Sequence, residues 1–257
     1  MCLIVVGWRV HPDYPLIVAA NRDEFYSRPT APLGRWPDAP EIMGGLDLEA
    51  GGTWLGISES GRFAAVTNVR ELGLAKGAQS RGVLTKGFLT GQASPNEYAV
   101  KIDGTQYSGF NLLLGDGDTL IYCSNRDGEP QPLPPGIYGL SNHLLDSPWP
   151  KLLVARERFS EALHYLPDES AFFELLSDQS IVADQNLPNT GVPIEWERLL
   201  SAIFVKSESY GTRASTLLWQ GADGSVTVHE RSFGSNGIAL QSSAISTSVR
   251  PTQGRKI

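Results

Sequence analysis

Cysteine is nearly absent from this chain: Cys2 and Cys123 are the two in 257 residues. Two thiols cannot staple a disulfide scaffold or build a cysteine-rich metal centre. Histidine is scarce too, and His11, His143, His164 and His229 show no His-x-x-x-His spacing of the kind a helix-borne metal site needs. No metal is expected. Basic residues are outnumbered, 21 Lys and Arg against 28 Asp and Glu, for a net charge of -7. An acidic chain without a basic stripe repels phosphate backbones, so no nucleic-acid partner is expected. Long hydrophobic runs are missing as well. The apolar opening Leu3-Ile4-Val5-Val6 has no basic flank and runs straight into Trp8 and Arg9. It falls short of the about 7–15 apolar residues of a signal sequence and the roughly 20 of a membrane span. The expectation is a cytoplasmic protein without a membrane span.

Turn formers, in contrast, are plentiful: 27 Gly and 17 Pro. Short apolar and β-branched runs recur at 3–7, 16–20, 53–57, 63–67, 110–114, 119–122, 214–219 and 225–228. Several pair as hairpins across turns that supply a glycine, at Gly61, Gly117 and Gly224. Helical patterns lie between them, over 81–89 behind Ser80, over 98–101 behind the capping-box sequence Ser94-Pro95-Asn96-Glu97, and over 150–165, 169–176 and 195–203. The Pro-rich stretch 130–135 reads as a loop. No repeat or linker divides the chain. This order of elements predicts one α+β domain, 1–257, with helices layered on antiparallel sheets.

Position singles out Cys2. Once the initiator methionine is removed, its α-amino group, which titrates near pH ~7.7–8.0, can act as base toward its own thiol. Nucleophile and base then share one residue, although a small apolar residue opening a buried strand is the plainer alternative. The tetrad Asn21-Arg22-Asp23-Glu24 follows an apolar strand, where a sheet presents polar groups to a pocket. Asp23 is a candidate partner of the amine. Asn21 and Arg22 are candidates for ligand binding, against an ordinary charged turn. Asn68 and Asn142 each close a short strand and are candidate oxyanion donors. Arg213, in Tyr210-Gly211-Thr212-Arg213, is a candidate buried anchor. Trp54, Trp149 and Trp219 could line an apolar slot or simply pack in the core.

Taken together and in this order, several segments resemble the NRDE family, also called the transport and Golgi organisation protein 2 family. They are Met1-Cys2, Ala20-Asn21-Arg22-Asp23-Glu24-Phe25, Gly51-Gly52-Thr53-Trp54-Leu55-Gly56, Thr67-Asn68 and Ser80-Arg81-Gly82, then Gly109-Phe110-Asn111-Leu112-Leu113, Tyr138-Gly139-Leu140-Ser141-Asn142, Tyr210-Gly211-Thr212-Arg213 and Glu230-Arg231-Ser232-Phe233. The pattern spans 1 to about 235, leaving 235–257 as a tail outside it. The resemblance implies an N-terminal-nucleophile hydrolase fold, a four-layer αββα sandwich of two antiparallel sheets with helices outside. It implies Cys2 as nucleophile, Asp23 as partner of the amine, Asn68 and Asn142 at the oxyanion and Arg213 as a distal arginine.

The family resemblance further implies haem trafficking by a non-catalytic carrier or release factor, with acyl-coenzyme A or another lipid as a rival amphipathic ligand. No cofactor is required, and haem would be the transported ligand. Cys-x-x-Cys-His is absent, which excludes covalent haem attachment. His143, beside Asn142, could ligate iron transiently or merely hydrogen-bond at a strand end. The alternative activity is a cysteine amidohydrolase cleaving a small non-peptide carbon–nitrogen bond, through a more distant likeness to bile-salt hydrolases and penicillin V acylases. Those acylases carry an arginine three residues before the aspartate, where this chain has Ala20.

Overall fold

The strand that begins at Cys2 is buried along its whole length, which an antiparallel strand shows only when both faces of its sheet are covered. We analysed a computed structural model of the chain, which describes residues 2–71, 73 and 77–249. The elements run β1 (Cys2–Trp8), β2 (Leu16–Phe25), β3 (Thr30–Trp36), β4 (Ala39–Asp47), β5 (Leu55–Ser58), β6 (Phe63–Asn68), α1 (Gly82–Thr90) and α2 (Pro95–Ala99). They continue β7 (Phe110–Gly115), β8 (Leu120–Ser124), β9 (Gln131–Pro132), β10 (Gly136–Leu140), α3 (Pro150–Ala162), α4 (Ser170–Leu176) and α5 (Ile194–Leu200). The last three are β11 (Tyr210–Gln220), β12 (Ser225–Phe233) and β13 (Ala239–Ser248).

Two antiparallel sheets result, ordered β10-β1-β2-β11-β12-β13 and β3-β4-β5-β6-β7-β8-β9. Alternation along each strand divides the apolar residues among three layers. Ile4, Val6, Val18 and Val228 of the first sheet meet Met43, Ile57, Phe63 and Leu113 of the second between the sheets. On the outer face of the first sheet, Leu3, Val5, Ile17 and Leu217 pack under Leu152, Phe159 and Phe172 of α3 and α4. On the outer face of the second, Ala64, Val66, Leu112 and Leu114 pack under Leu84 and Phe88 of α1 and Ala99 of α2. This is the four-layer αββα arrangement.

The hairpin and helix patterns hold with shifts of a few residues. The Ser94 capping box forms in full: Ser94 Oγ accepts from the Glu97 N–H at 3.3 Å, and Glu97 Oε2 accepts from the Ser94 N–H at 2.9 Å. Four differences matter. Asn21 to Phe25 does not follow the strand but lies inside β2, because β1 and β11 both continue pairing through it, with Cys2 opposite Arg22 and Thr212 opposite Asp23. The hairpin β3–β4 lies where no strand was expected; its proline and glycines interrupt the apolar alternation, and the register slips twice along it. Gln131–Pro132, within the expected loop, makes a two-residue edge strand on β8, a place where proline's missing N–H costs no ladder bond. In the tail, β13 pairs along β12 and forms the edge of the first sheet, while 250–257 lie outside the described residues.

Candidate active site

Glycines in the Gly51-Gly52-Thr53-Trp54 and Ser80-Arg81-Gly82 segments bring the two sheets' ends together around Cys2. Gly51 has φ +71°, a left-handed conformation natural to glycine. A Cβ on Gly52 would lie 2.3 Å from the Gly82 backbone, so the start of α1 seats directly against the lead-in to β5. The Thr85 hydroxyl then donates to the Thr53 carbonyl at 2.6 Å. A cleft of ≈170 Å³ opens between these segments. Cys2, Arg22, Asp23 and Glu24 border it from the first sheet, and Thr53, Trp54, Thr67 and Asn68 from the second. Ser80, Arg81 and Gly82 border it from the start of α1.

Asn68 is held by a second amide. Asn142 Nδ2 donates to Asn68 Oδ1 at 2.9 Å and to the Asn68 carbonyl at 3.3 Å. With Oδ1 turned toward Asn142, Asn68 keeps its NH2 as a donor to offer. Asn142 itself is fully buried and fastened on several sides. Ser141 Oγ donates to the Cys2 carbonyl at 3.1 Å, and the Arg70 N–H donates to the Asn142 carbonyl at 2.8 Å. Asn111 Nδ2 donates to Thr67 Oγ1 at 3.1 Å and to the His143 carbonyl at 2.9 Å, while Tyr122 donates to Asn111 Oδ1 at 3.0 Å. The Gly109–Leu113 motif thus ties β7 to the loop that carries Asn142.

Burial pushes the Cys2 thiol above its ordinary value, and the neighbouring Asp23 acts in the same direction. Asp23 is raised by its own burial; Thr212 Oγ1 donates to its Oδ1 at 2.7 Å, and the Tyr210 hydroxyl to its carbonyl at 3.2 Å. Behind Asp23, on the helix side of the sheet, Lys151 is buried and donates from Nζ to the Leu200 carbonyl at 2.8 Å. Desolvation lowers Lys151 to about 8, against the pull of Asp23, which favours its charge. Arg70 pairs with the buried Glu197 at 2.8 Å in the same region. On the cleft wall, Arg28 is committed to Asp47 at 2.9 Å and Glu49 at 3.1 Å. Arg81 donates to the Gly109 carbonyl at 3.1 Å and forms no ion pair among the described residues.

The structure therefore brings Cys2, Arg22, Asp23, Trp54 and Asn68 to one cleft, with Asn142 directly behind Asn68. Asn21 points away from it: its amide donates to the Leu176 and Ile203 carbonyls at 2.8 and 2.9 Å and accepts from Ser215 at 2.6 Å, fastening helices to the sheet. Arg213 sits at the β11 bulge and donates to the Phe25 and Arg28 carbonyls at 3.0 and 2.8 Å, bordering an adjoining recess. His143 is exposed, with Nδ1 2.8 Å from Ser147 Oγ, and does not border the cleft. The three tryptophans share no slot. Trp54 borders the cleft, Trp149 lies 5.1 Å from the Arg70 guanidinium, and Trp219 faces the helix layer beside Tyr14, where the alternation of β11 sends it. Ala20 packs in the core between the sheets, and two residues on along the same face Arg22 places a guanidinium at the cleft.

Arg81, Lys151, Arg70 and Glu197 escaped the reading of the chain for chemistry. A Ser-Arg-Gly sequence opening a helical stretch was a signal for Arg81, whereas Lys151 and Glu197 sit in helices as ordinary charged residues do. Met1, whose removal would free the Cys2 amine, lies outside the described residues. Among those residues no cluster of three metal-ligating side chains occurs, and no helix is long and apolar enough to cross a membrane.

Comparison with known proteins places this architecture. A sequence profile described as Transport and Golgi organisation 2 matches residues 1–235. The Transport and Golgi organization protein 2 homolog of Homo sapiens is 40% identical over 258 residues, covering 91% of this chain and 93% of its own. The Drosophila melanogaster protein of that name is 27% identical, covering 85% and 87%. Among solved structures, a mutant (C2A) conjugated bile acid hydrolase from Clostridium perfringens superposes with a TM-score of 0.53 at 9% identity, covering 100% of this chain and 95% of its own. The Caenorhabditis elegans ortholog of N-acylethanolamine-hydrolyzing acid amidase gives 0.51 at 15% identity, covering 84% and 92%. At such identities the likeness is one of fold, that of the N-terminal-nucleophile hydrolases. By its sequence from end to end of the matched region, the chain belongs to the Transport and Golgi organisation 2 family.

Proposed function

We propose that the chain is a cysteine amidohydrolase that cleaves a small non-peptide amide in the Cys2 cleft once Met1 has been removed. The observation that carries this reading is the convergence of Cys2 from one sheet and Asn68 from the other on one cleft, with Asn142 fixing the Asn68 amide. In the reaction the Cys2 thiol proton passes to the α-amine as sulfur adds to the carbonyl carbon. The oxyanion takes an N–H from Asn68. The amine returns the proton to the leaving nitrogen, the carbon–nitrogen bond breaks, and water hydrolyses the thioester to free the acid and regenerate the thiol. Asp23, held by Thr212, is the carboxylate suited to orient the amine. Arg81 adds a cation that forms no ion pair among the described residues, with Glu24 and Glu71 acting on it only at longer range, and this supports an anionic group on the substrate. Intact mass of the natively expressed protein should show Met1 removed, and Cys2→Ala should abolish turnover on a panel of N-acyl amides. Turnover that survives Cys2→Ala rules the reading out.

One observation favours a second reading, carriage of an amphipathic ligand such as haem or an acyl-coenzyme A. Ala20 stands where acylases carry arginine, so part of the hydrolytic equipment of that branch is missing. The cleft offers no histidine to iron, which makes the Cys2 sulfur the ligand of choice in this reading. A Soret shift on haem titration that disappears in Cys2→Ala supports it, and a flat titration removes it.

A further inference from the structure

Arg22 and Trp54 border two spaces at once. On one side lies the Cys2 cleft; on the other lies a recess of ≈110 Å³ that reaches Ala214, Phe233 and Leu240. The Arg22 guanidinium carbon stands 4.4 Å from the centre of the Trp54 ring, and this stacked pair is the shared wall. The two spaces differ in chemistry. The Cys2 side is lined with arginines and carboxylates. In the recess the two charged groups beyond the wall are already engaged. Arg213 donates to two carbonyls, and Glu230 accepts from the Leu33 N–H at 2.7 Å and Thr216 Oγ1 at 3.1 Å. Thr30, Ser232 and Gln241 add neutral polar groups, and most of the surface left for a ligand there is carbon.

On the Arg22 side the wall is held by weak polar contacts alone. Arg22's polar contacts are long, 3.4 Å to Thr30 Oγ1 and 3.9 Å to Glu24, so separating it from the indole breaks no short hydrogen bond. Trp54 is half-buried, and its ring occupies space left by the missing side chain of Gly45, where a Cβ would lie 2.0 Å from Cη2.

We propose that this recess is the acyl-chain subsite of the Cys2 cleft, with the Trp54 indole as the partition that sets chain length. The proposal rests on the reading of Cys2 as the group that meets an acyl carbonyl. The chain then runs past the indole into the recess, and the polar end stays with Arg81. Burial of each further methylene should tighten binding about fourfold until the recess is full.

The test is calorimetric titration of the full chain carrying Cys2→Ala with saturated carboxylates from butanoate to dodecanoate. Affinity should climb with length and then level off, and Trp54→Ala should move the plateau to longer chains. Ser232→Trp, which fills the recess away from Cys2, should cut the dodecanoate-to-butanoate affinity ratio at least tenfold. Leu240→Asp, at a position 65% exposed, should do the same and keeps the test open if Ser232→Trp does not fold. A length profile unmoved by both substitutions, or no binding by any of the acids, overturns the subsite. The two readings separate cleanly. Length-dependent binding with no amide turnover leaves the subsite and removes the hydrolase, whereas turnover of acetyl amides with a length profile unmoved by both substitutions does the reverse.

Discussion

At the scale of single residues, the two cysteines differ in what surrounds them. Cys123 faces the helix-covered side of the second sheet, where burial pushes its thiol up to about 12. Cys2 is also raised by burial, yet it borders the cleft. An acid with a raised value stays protonated longer, so thiolate chemistry at Cys2 should be slow at neutral pH and grow as pH rises past its ordinary 9.0. Iodoacetamide labelling followed by peptide mass should therefore show Cys2 modified increasingly from pH 8 to pH 10 while Cys123 stays unmodified. Equal labelling of both would contradict the assigned environments. Cys2 was legible as a candidate from its position in the chain, and the structure sets it at the cleft. Its partners were legible only as types, because an asparagine at a strand end reads the same whether it contacts a substrate or, like Asn142, another asparagine. Asn21 and Asp23 share one face of β2 and look equivalent in sequence, yet one fastens helices and the other sits beside Thr212 at the cleft.

At the scale of elements, the motif glycines act as contact points between segments. Gly52 touches Gly82 backbone to backbone, and this sets the first turn of α1 against the cleft. Gly52→Ala should force these segments apart and cost about 1–3 kcal/mol, the usual penalty of overpacking a close contact. Gly128→Ala, where an added Cβ meets nothing within 4 Å, should change stability by less than about 0.5 kcal/mol. Denaturant midpoints of the two variants check the contrast. The apolar elements were readable because short β-branched runs such as Leu3–Val6 are too brief for a helix and are bounded by turn residues, whereas the longer segment 150–165 repeats its apolar residues at helical spacing. The β3–β4 hairpin and β13 were not readable. β3 and β4 carry proline and glycine with register slips, and β13 is an edge strand rich in small polar residues that pairs along the open side of β12 and packs Ile245 on the core.

At the scale of the whole molecule, the helix layer, the first sheet and the cleft are coupled through buried charge. Lys151, on α3, bonds to α5 through the Leu200 carbonyl and stands behind Asp23. Its ordinary value of 10.5 falls to about 8 on folding. Below about pH 8 it is charged folded and unfolded, and the folded state bears the full cost of burying that charge. Between about pH 8 and 10.5 the unfolded chain still holds the proton that the folded protein has released, so this group adds stability as pH rises. The total is about 3 kcal/mol. Lys151→Met should lack that rise. Comparing denaturant midpoints of the two proteins at pH 7.5 and pH 10 isolates it from other titrations, and an identical pH dependence would refute the burial argument.

By itself the sequence determined the class of fold and the family, and it marked Cys2 as a candidate. Apolar period and turn residues are local properties, and a family motif is a pattern along the chain. Tertiary structure alone decided which candidates meet. It put Asn68 against Asn142, a contact across 74 positions of sequence, sent Arg213 to the recess and left His143 facing solvent. The physical reason is that a strand's period of two assigns a side chain to a face, whereas the neighbour it finds there depends on the register of another strand. That register is set by packing of two sheets and two helix layers whose segments are far apart in the chain.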